Sequence, residues 1–243
     1  MKAMIFAAGL GTRLKPWTLH HPKALAPVNG KSLLQRNILY LQQFGITNVL
    51  VNVHHFANQI IDTIIQNKGW GSNISISNEE AEVLETGGGL KKAVEYFKEE
   101  ESFLVMNADM LTNLSISKLI AAHKADKNSI ATLAVTNRNS SRSLVFNSET
   151  NYLCGWQNNQ TGEQKGPILL QHPMAVTTKA FSGVQIINNT IFNEMPVENK
   201  FGIIDWYLQL ANKYAIGFYD HSGDLLLDVG KPESLLKAAE LFP

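Results

Sequence analysis

The sequence predicts an α/β fold, a mostly parallel mixed sheet with helices on both faces. Three observations carry that expectation. From the N-terminus to Val135, short apolar runs of strand length alternate with stretches of helical periodicity, the pattern of parallel strands joined by crossover helices. Beyond Val135 the pattern turns to short paired strands of hairpin type. A chain of 243 residues is long enough to bury one large core, and no linker or internal repeat divides it.

Residues 2–7 form a short apolar strand that runs straight into the turn Ala8-Gly9-Leu10-Gly11-Thr12-Arg13. Residues 33–44 carry apolar side chains at helical spacing and stop at Gly45, a good residue to follow a helix. Residues 48–53 read as a buried strand. Residues 57–66 read as a helix whose inner face is Ile60, Ile61, Ile64 and Ile65. A short strand at 73–77, a helix at 88–97, a buried strand at 103–106, a helix at 115–124 and a strand at 130–135 complete the alternation. Residues 144–147 and 152–156 then form a hairpin across Ser148-Glu149-Thr150-Asn151. The polar stretch 157–178, with Gly162, Gly166 and two prolines, is expected to be a mobile arm or lid. A strand at 181–187, a helix at 203–212, a strand at 216–219 and a closing helix at 233–241 after Pro232 end the chain.

Lysine plus arginine number 21, as do aspartate plus glutamate, so the formal charge is zero, with no long run of either sign. That balance argues against a nucleic-acid-binding surface and against electrostatic attachment to a membrane. Any affinity for phosphate must be local. The single cysteine, Cys154, excludes an internal disulfide and a multi-cysteine zinc site, and is read as an ordinary strand residue of a reducing cytoplasm. The apolar stretch 3–8 is too short for a signal peptide and leads into glycine and arginine. Nothing approaches the length of a membrane span. A soluble, cytoplasmic protein is expected.

Backbone N–H groups approach an anion closely only where no Cβ intervenes, so a glycine turn after a first strand suits phosphate. This turn brings its own cation, Arg13, and a second follows in His21-Pro22-Lys23. It is not a P-loop, which needs Lys-Ser or Lys-Thr directly after its last glycine. Nor is it the dinucleotide fingerprint. Leu14 stands at the third glycine's position, Pro16 interrupts an immediate helix, and the second strand ends in Asn52-Val53-His54 rather than an acid. Gly9-x-Gly11 alone fits a plain tight turn equally well. Thr12-Arg13, Pro16 and Pro22-Lys23 shift the reading to phosphate.

Two aspartates complete the constellation. Asp109 follows an apolar strand in Asn107-Ala108-Asp109, and Asp228 follows Leu225-Leu226-Leu227 and precedes Val229-Gly230. A carboxylate just beyond the C-terminal end of a buried strand lies where open α/β sheets bind ligands. Each aspartate alone is more often a cap or turn former. Together, opposite a basic glycine loop, they make a hard-ligand pair for Mg²⁺, completed by phosphate oxygens and water.

Gly9-Leu10-Gly11-Thr12-Arg13-Leu14 followed by Pro22-Lys23-Ala24-Leu25 resembles the signature of the sugar-1-phosphate nucleotidylyltransferases. The resemblance is to their short form without an added C-terminal β-helix, which includes N-acetylmuramate-1-phosphate uridylyltransferases and mannose-1-phosphate guanylyltransferases. Its motifs run through nearly the whole chain in the family's order. It implies a Rossmann-like fold of the nucleotide-diphospho-sugar transferase type as one domain over 1–243, with a nucleotide-binding half at 1–135 and a sugar-binding half at 136–243. It implies nucleotide binding by Ala8, Gly9, Gly11, Thr12, Arg13 and Lys23, and by Glu85, Gly87 and Gly88 within Leu84-Glu85-Thr86-Gly87-Gly88-Gly89. It implies sugar binding by Asn107, Ser182 and Gly183, metal binding by Asp109 and Asp228, and catalytic roles for Arg13 and Lys23. The three glycines of the second motif suggest something flat against the backbone, a nucleobase; the plainer alternative is a loop that begins a helix cheaply. Where the family often has an acidic or polar sugar contact, Asn139-Ser140-Ser141-Arg142-Ser143 offers only Arg142, which faces a phosphate, a sugar carboxylate or solvent. Asp205 touches the sugar or occupies the outer face of its helix. His20, His21, His54 and His55 fit no metal-ligand spacing, and His20 and His21 are placed along the phosphate loop.

The resemblance implies Mg²⁺-dependent transfer of a nucleoside monophosphate from a nucleoside triphosphate to a sugar-1-phosphate. UTP or GTP is favoured, with an acceptor of the N-acetylmuramate or mannose type, in a monomer or homodimer. No general base is needed, because a phosphate monoester is largely ionised at neutral pH, and no essential histidine is expected. Two alternatives stand beside it: a cytidylyltransferase for a phosphocholine-like acceptor, and a non-catalytic sensor of nucleotide sugars.

Overall fold

The computed structural model describes residues 1–80, 82–166, 169 and 174–243. At its centre lies β1 (Ala3–Phe6), paired in parallel with β4 (Asn48–Val53) on one side and β6 (Ser102–Asn107) on the other. β5 (Asn73–Asn78) adds to β4 in parallel. The direction changes beyond β6. The long strand β12 (Val176–Asn188) runs antiparallel to β6 and to β8 (Ser129–Thr136), and β13 (Ala215–Asp220) closes that edge parallel to β8. The sheet is therefore mixed.

Thirteen residues make β12 long enough to serve two partners. Its first part pairs with β9 (Arg142–Asn147), which continues into β10 (Leu153–Asn158) and β11 (Gln164–Lys165). The register breaks between Phe181 and Gln185, where Gly183 takes a φ of +69°. A left-handed residue in a strand makes a bulge, and bulges re-aim the chain beside sites.

Successive residues of a strand face opposite sides, so a central strand with both faces covered reads as unbroken hydrophobic sequence. Ala3 and Ile5 pack with Leu34, Ile38 and Leu41 of α1 (Leu33–Gln42), Ile60 of α2 (Ala57–Gln66) and Leu119 of α5 (Ile116–Ala125). Met4 faces the other way, with Leu90 of α3 (Glu85–Lys92), Phe97 of α4 (Val94–Phe97), and Trp206 and Tyr207 of α6 (Ile203–Leu210). A third cluster joins Leu14, Val28, Leu33, Leu111, Val229 and Ala238, the last on α7 (Pro232–Leu241). It lies beneath the glycine loop and ties both ends of the chain together. Asn29 reinforces it by donating from Nδ2 to the Ala239 carbonyl at 2.8 Å.

Several boundaries have local causes. Ser32 caps α1 by accepting from Gln35 N–H at 3.1 Å, and Ser115 does the same for α5. The helix expected at 88–97 begins earlier, at Glu85, and breaks at Ala93 into α3 and α4. The stretch 157–178, expected as an arm or lid, is ordered at both ends: it finishes β10, returns as β11 and opens β12. Its residues 167, 168 and 170–173 lie outside the described residues. Two short pairs had no counterpart in the sequence reading: β2 (Pro27–Val28) with β3 (Lys31–Ser32), and β7 (Met110–Thr112) with β14 (Leu226–Asp228). Cys154 is a buried residue of β10, as expected. No helix among the described residues is long and apolar enough to cross a membrane.

Candidate active site

The β1 chain leaves the sheet at Ala7, whose N–H donates to Asn52 Oδ1 at 2.8 Å. Ala8 and Gly9 follow, and Gly11 adopts a φ of +62°. A Cβ on Gly11 would lie 2.8 Å from Lys23 Cβ, so glycine here is what lets Lys23 close against the turn. Thr18 holds the turn from behind, donating from Oγ1 to Gly11 O at 3.0 Å. Thr12 and Arg13 project outward, both exposed.

The two aspartates arrive from distant parts of the sequence and meet through the β7–β14 ladder. Asp228 pairs with Met110 in the register, and Val229 N–H donates to Asp109 O at 2.9 Å. Lys23 is the cation between them: its Nζ lies 2.5 Å from Asp109 Oδ2 and 4.0 Å from Asp228 Oδ1. Arg13 Nη2 stands 4.0 Å from Asp228 Oδ2. Gly230 makes that approach possible, since a Cβ there would lie 2.9 Å from Asp228 Oδ1 and 3.2 Å from Arg13 Nη2. Arg13, Lys23, Asp109 and Asp228, four of the five charged site residues expected from the sequence, are thus brought together.

Asp228 Oδ1 is buried and has no hydrogen-bond partner among the described residues. Buried acceptors are ordinarily satisfied, so an orphan carboxylate oxygen beside a second carboxylate fits a divalent cation. No group of three or more potential metal-ligating side chains occurs among the described residues, so the two aspartates stand as a pair. Such a pair suits an ion that keeps water and substrate oxygens in its shell.

A cavity of about 190 Å³ opens at this point, lined by Ala7, Gly9, Lys23, Thr86, Asn107 and Asp109 among others. A second, of about 410 Å³, is lined by Arg142, Trp156, Lys165, Phe181 and Asp205. Thr86 Oγ1, in the lining of the first, accepts from Ile203 N–H at 3.0 Å, which ties α3 to α6 beside Ile204 in the lining of the second. In the second cavity Lys165 Nζ lies 5.2 Å over the Trp156 ring and 3.4 Å from Asp205 Oδ1. Arg142 and Asp205 both prove to be exposed cleft residues. Trp156 and Lys165 were missed by the sequence reading, because only the β9–β10–β11 ladder brings them to the cleft.

The glycines of the second motif pack closely against the chain itself. A Cβ on Gly87 would lie 2.3 Å from the Phe201 ring, one on Gly88 2.0 Å from Asn199 O, and one on Gly89 2.9 Å from both Asn52 Nδ2 and Glu79 Oε1. The N–H groups of Gly87 and Gly88 both donate to Phe201 O, at 2.9 and 3.3 Å. What packs flat against this backbone at Gly87 and Gly88 is the chain's own 199–201 segment. Glu85 opens α3 with a φ of +60°, and its exposed carboxylate flanks Gly202 together with that of Asp205.

Gly183 seats the bulge of β12 against Asn107, where a Cβ would lie 2.8 Å from both Asn107 Nδ2 and Met110 Cγ. Ser182 is fully buried, and its Oγ is engaged with His221 Nε2 at 2.7 Å. Its hydroxyl therefore supports the bulge from within the core. Burial pushes His221 below the usual histidine range, with Asp224 and Asp220 only partly offsetting it. His21 packs at a tilt against Trp17 and pairs with Gln59 of α2, and His54 bonds Glu79 O.

The sequence profile of the nucleotidyl transferase family matches residues 2–144. An N-acetylmuramate α-1-phosphate uridylyltransferase of Neisseria meningitidis is 39% identical over 117 residues, 48% of this chain and 50% of that protein. A mannose-1-phosphate guanyltransferase of Yarrowia lipolytica is 26% identical across the whole of this chain and 64% of its own length. The chain thus spans about half to just under two thirds of these two relatives. Among solved structures, HddC from Yersinia pseudotuberculosis in complex with GMP-PN superposes with a TM-score of 0.77 at 24% identity, covering 100% of this chain and 99% of that one. A protein of Bacillus anthracis assigned as a glucose-1-phosphate thymidylyltransferase gives 0.79 at 17% identity, covering 99% and 94%. These superpositions show that the fold is shared along the entire chain. Since the matched profile alone spans more than half of the sequence, the chain belongs to the nucleotidyl transferase family.

Proposed function

We propose that the protein transfers a nucleoside monophosphate from a nucleoside triphosphate to a sugar-1-phosphate and releases pyrophosphate. The observation that carries this reading is the meeting of Arg13, Lys23, Asp109 and Asp228 at the mouth of the glycine-loop cavity. The names of the relatives favour UTP or GTP as donor, with an acceptor of the N-acetylmuramate or mannose type. The nucleotide belongs to the 1–135 half. The acceptor belongs to the 136–243 half, where the Trp156 cleft offers an aromatic face with charged groups around it.

Asp109 and Asp228 would hold Mg²⁺, which when bound neutralises phosphate charge. The chain's own residues do the rest by position and charge. The Gly9–Gly11 turn brings backbone close to the phosphates. Arg13, exposed at the rim, draws the departing pyrophosphate. Lys23 reduces repulsion between the triphosphate and the incoming sugar phosphate. A sugar-phosphate oxygen attacks the α-phosphorus in line, and the bond from that phosphorus to the α–β bridging oxygen breaks with its electron pair leaving on pyrophosphate. No proton is removed from the nucleophile, so no histidine is required.

Pyrophosphate release is measured with Mg²⁺, crossing UTP, GTP, CTP and dTTP against sugar-1-phosphates and phosphocholine, with Asp109→Ala as control. Release that needs UTP or GTP, a sugar-1-phosphate and Asp109 is expected. Release with phosphocholine alone would replace the sugar by an alcohol phosphate. Silence throughout, with tight binding of a nucleotide sugar, would make the protein a sensor.

A further inference from the structure

Asn52 and Glu79 are each 2% exposed, and the proposed chemistry uses neither. Asn52 ends the sheet partnership of β1, standing opposite Phe6 in the β4 register. Beyond Phe6 the next N–H, that of Ala7, donates to Asn52 Oδ1 at 2.8 Å, while Asn52 Nδ2 donates to Glu79 Oε1 at 2.9 Å. Glu79 is itself fixed just past β5, with its N–H bonded to Val53 O at 2.7 Å and its carbonyl to His54 Nδ1 at 2.8 Å.

An asparagine amide presents an oxygen and a nitrogen of nearly equal shape, and only its partners decide which way it turns. A carboxylate accepts and does not donate, so Glu79 compels Nδ2 to face it and leaves Oδ1 for Ala7. The opposite orientation would set two donors against each other. The same pair is the floor on which α3 rests, because Gly89 has no room for a Cβ beside Asn52 Nδ2 and Glu79 Oε1. Ala7 and Gly9 line one wall of the 190 Å³ cavity and Thr86, on α3, lines another. One buried pair therefore touches both walls.

The geometry points to Asn52 and Glu79 as a positioning pair for the nucleotide: Glu79 orients the Asn52 amide, which holds the glycine loop at its first residue and at a set distance from α3. The role rests on the function proposed above. Asn52→Asp tests it, since its carboxylate still accepts from Ala7 but faces a second buried carboxylate. Adding Glu79→Gln restores a continuous chain with the donor reversed, from the new amide to the new carboxylate. With UTP and GTP each as probe, Asn52→Asp is expected to raise the apparent KM about tenfold, as befits a buried polar contact left unmade, with a smaller change in kcat. The double variant is expected to recover most of that loss. A KM unchanged in Asn52→Asp, or a folded double variant no better than the single one, overturns the inference. Hydrogen exchange of the Ala7 amide in the unsubstituted protein judges the pair without any variant: slow exchange supports it and exchange at the rate of an open loop refutes it. If the unsubstituted protein releases no pyrophosphate, the functional reading falls, while amide exchange still decides the pair.

Discussion

Lys23 occupies the point where the charges of the site cancel. With Nζ 2.5 Å from Asp109 and 4.0 Å from Asp228, it neutralises the acids when no cation is bound. On the function proposed above, a divalent ion held by the two carboxylates would free the ammonium for phosphate. A side chain that compensates acids in one state and phosphate in the next acts on charge that develops during transfer, the kind of contact whose loss costs about 10²–10³ in rate. Lys23→Met is therefore expected to lower kcat/KM by about that factor, read by steady-state pyrophosphate release. A loss below tenfold would move the α-phosphate away from Lys23.

At the scale of elements, α3 shows a conflict between propensity and fit. Alanine in a helix interior is favoured over glycine by about 1 kcal/mol. At Gly88 that gain is opposed by an overlap, with the new Cβ 2.0 Å from the backbone oxygen of Asn199. Overpacking of this kind costs about 1–3 kcal/mol, and a backbone oxygen does not swing aside, so Gly88→Ala is expected to destabilise. Urea unfolding measures the sign, and a stabilised variant would show that the 199–201 segment yields. The same helix shows where sequence reading reached its limit. From short buried apolar runs that reading placed the strands at 48–53 and 103–106, and from helical periodicity with one buried face it placed the helix at 57–66. It also placed Arg13, Lys23, Asp109 and Asp228, whose residue types declare their chemistry. It could not say what covers Gly87 and Gly88, since residues 199–201 approach them only in the folded chain. Nor could it find β7 and β14, whose three residues each are too few for a period. Trp156, Lys165, Asn52 and Glu79 escaped for a related reason: nothing in their local sequence distinguishes them from ordinary strand and loop residues.

Across the whole molecule, the buried histidines set the response to acid. His123 is held by Thr132 Oγ1 and Asn188 Oδ1, both at 2.9 Å, and burial lowers its pKa despite Asp126 and Glu101 nearby. His221 is lowered by burial as well. Below the ordinary histidine value near 6.5 the unfolded chain takes up protons that the folded chain refuses. Stability is then full above that value and is lost as pH falls through it, by up to about 1.4 kcal/mol per pH unit for each histidine. Glu79 has the opposite sign, because burial raises its pKa and the folded state gains from its protonation, in a window that opens above 4.5. The melting temperature is expected to fall from pH 7 to pH 5.5, and a His123→Gln/His221→Gln variant to show a flatter profile. A profile flat in the unsubstituted protein would mean that both histidines accept protons in place.

The β7–β14 ladder has a consequence for how the protein comes into being. Lys23 and Asp109 lie within the first half of the chain and Asp228 within its last turn of strand before α7. A growing chain therefore exposes its glycine loop and first acid long before the second acid has been synthesised. Until β14 docks beside β7, the pair of aspartates proposed to hold a cation is half built. If the proposed transfer needs both aspartates, a copy lacking β14 is expected to release no pyrophosphate.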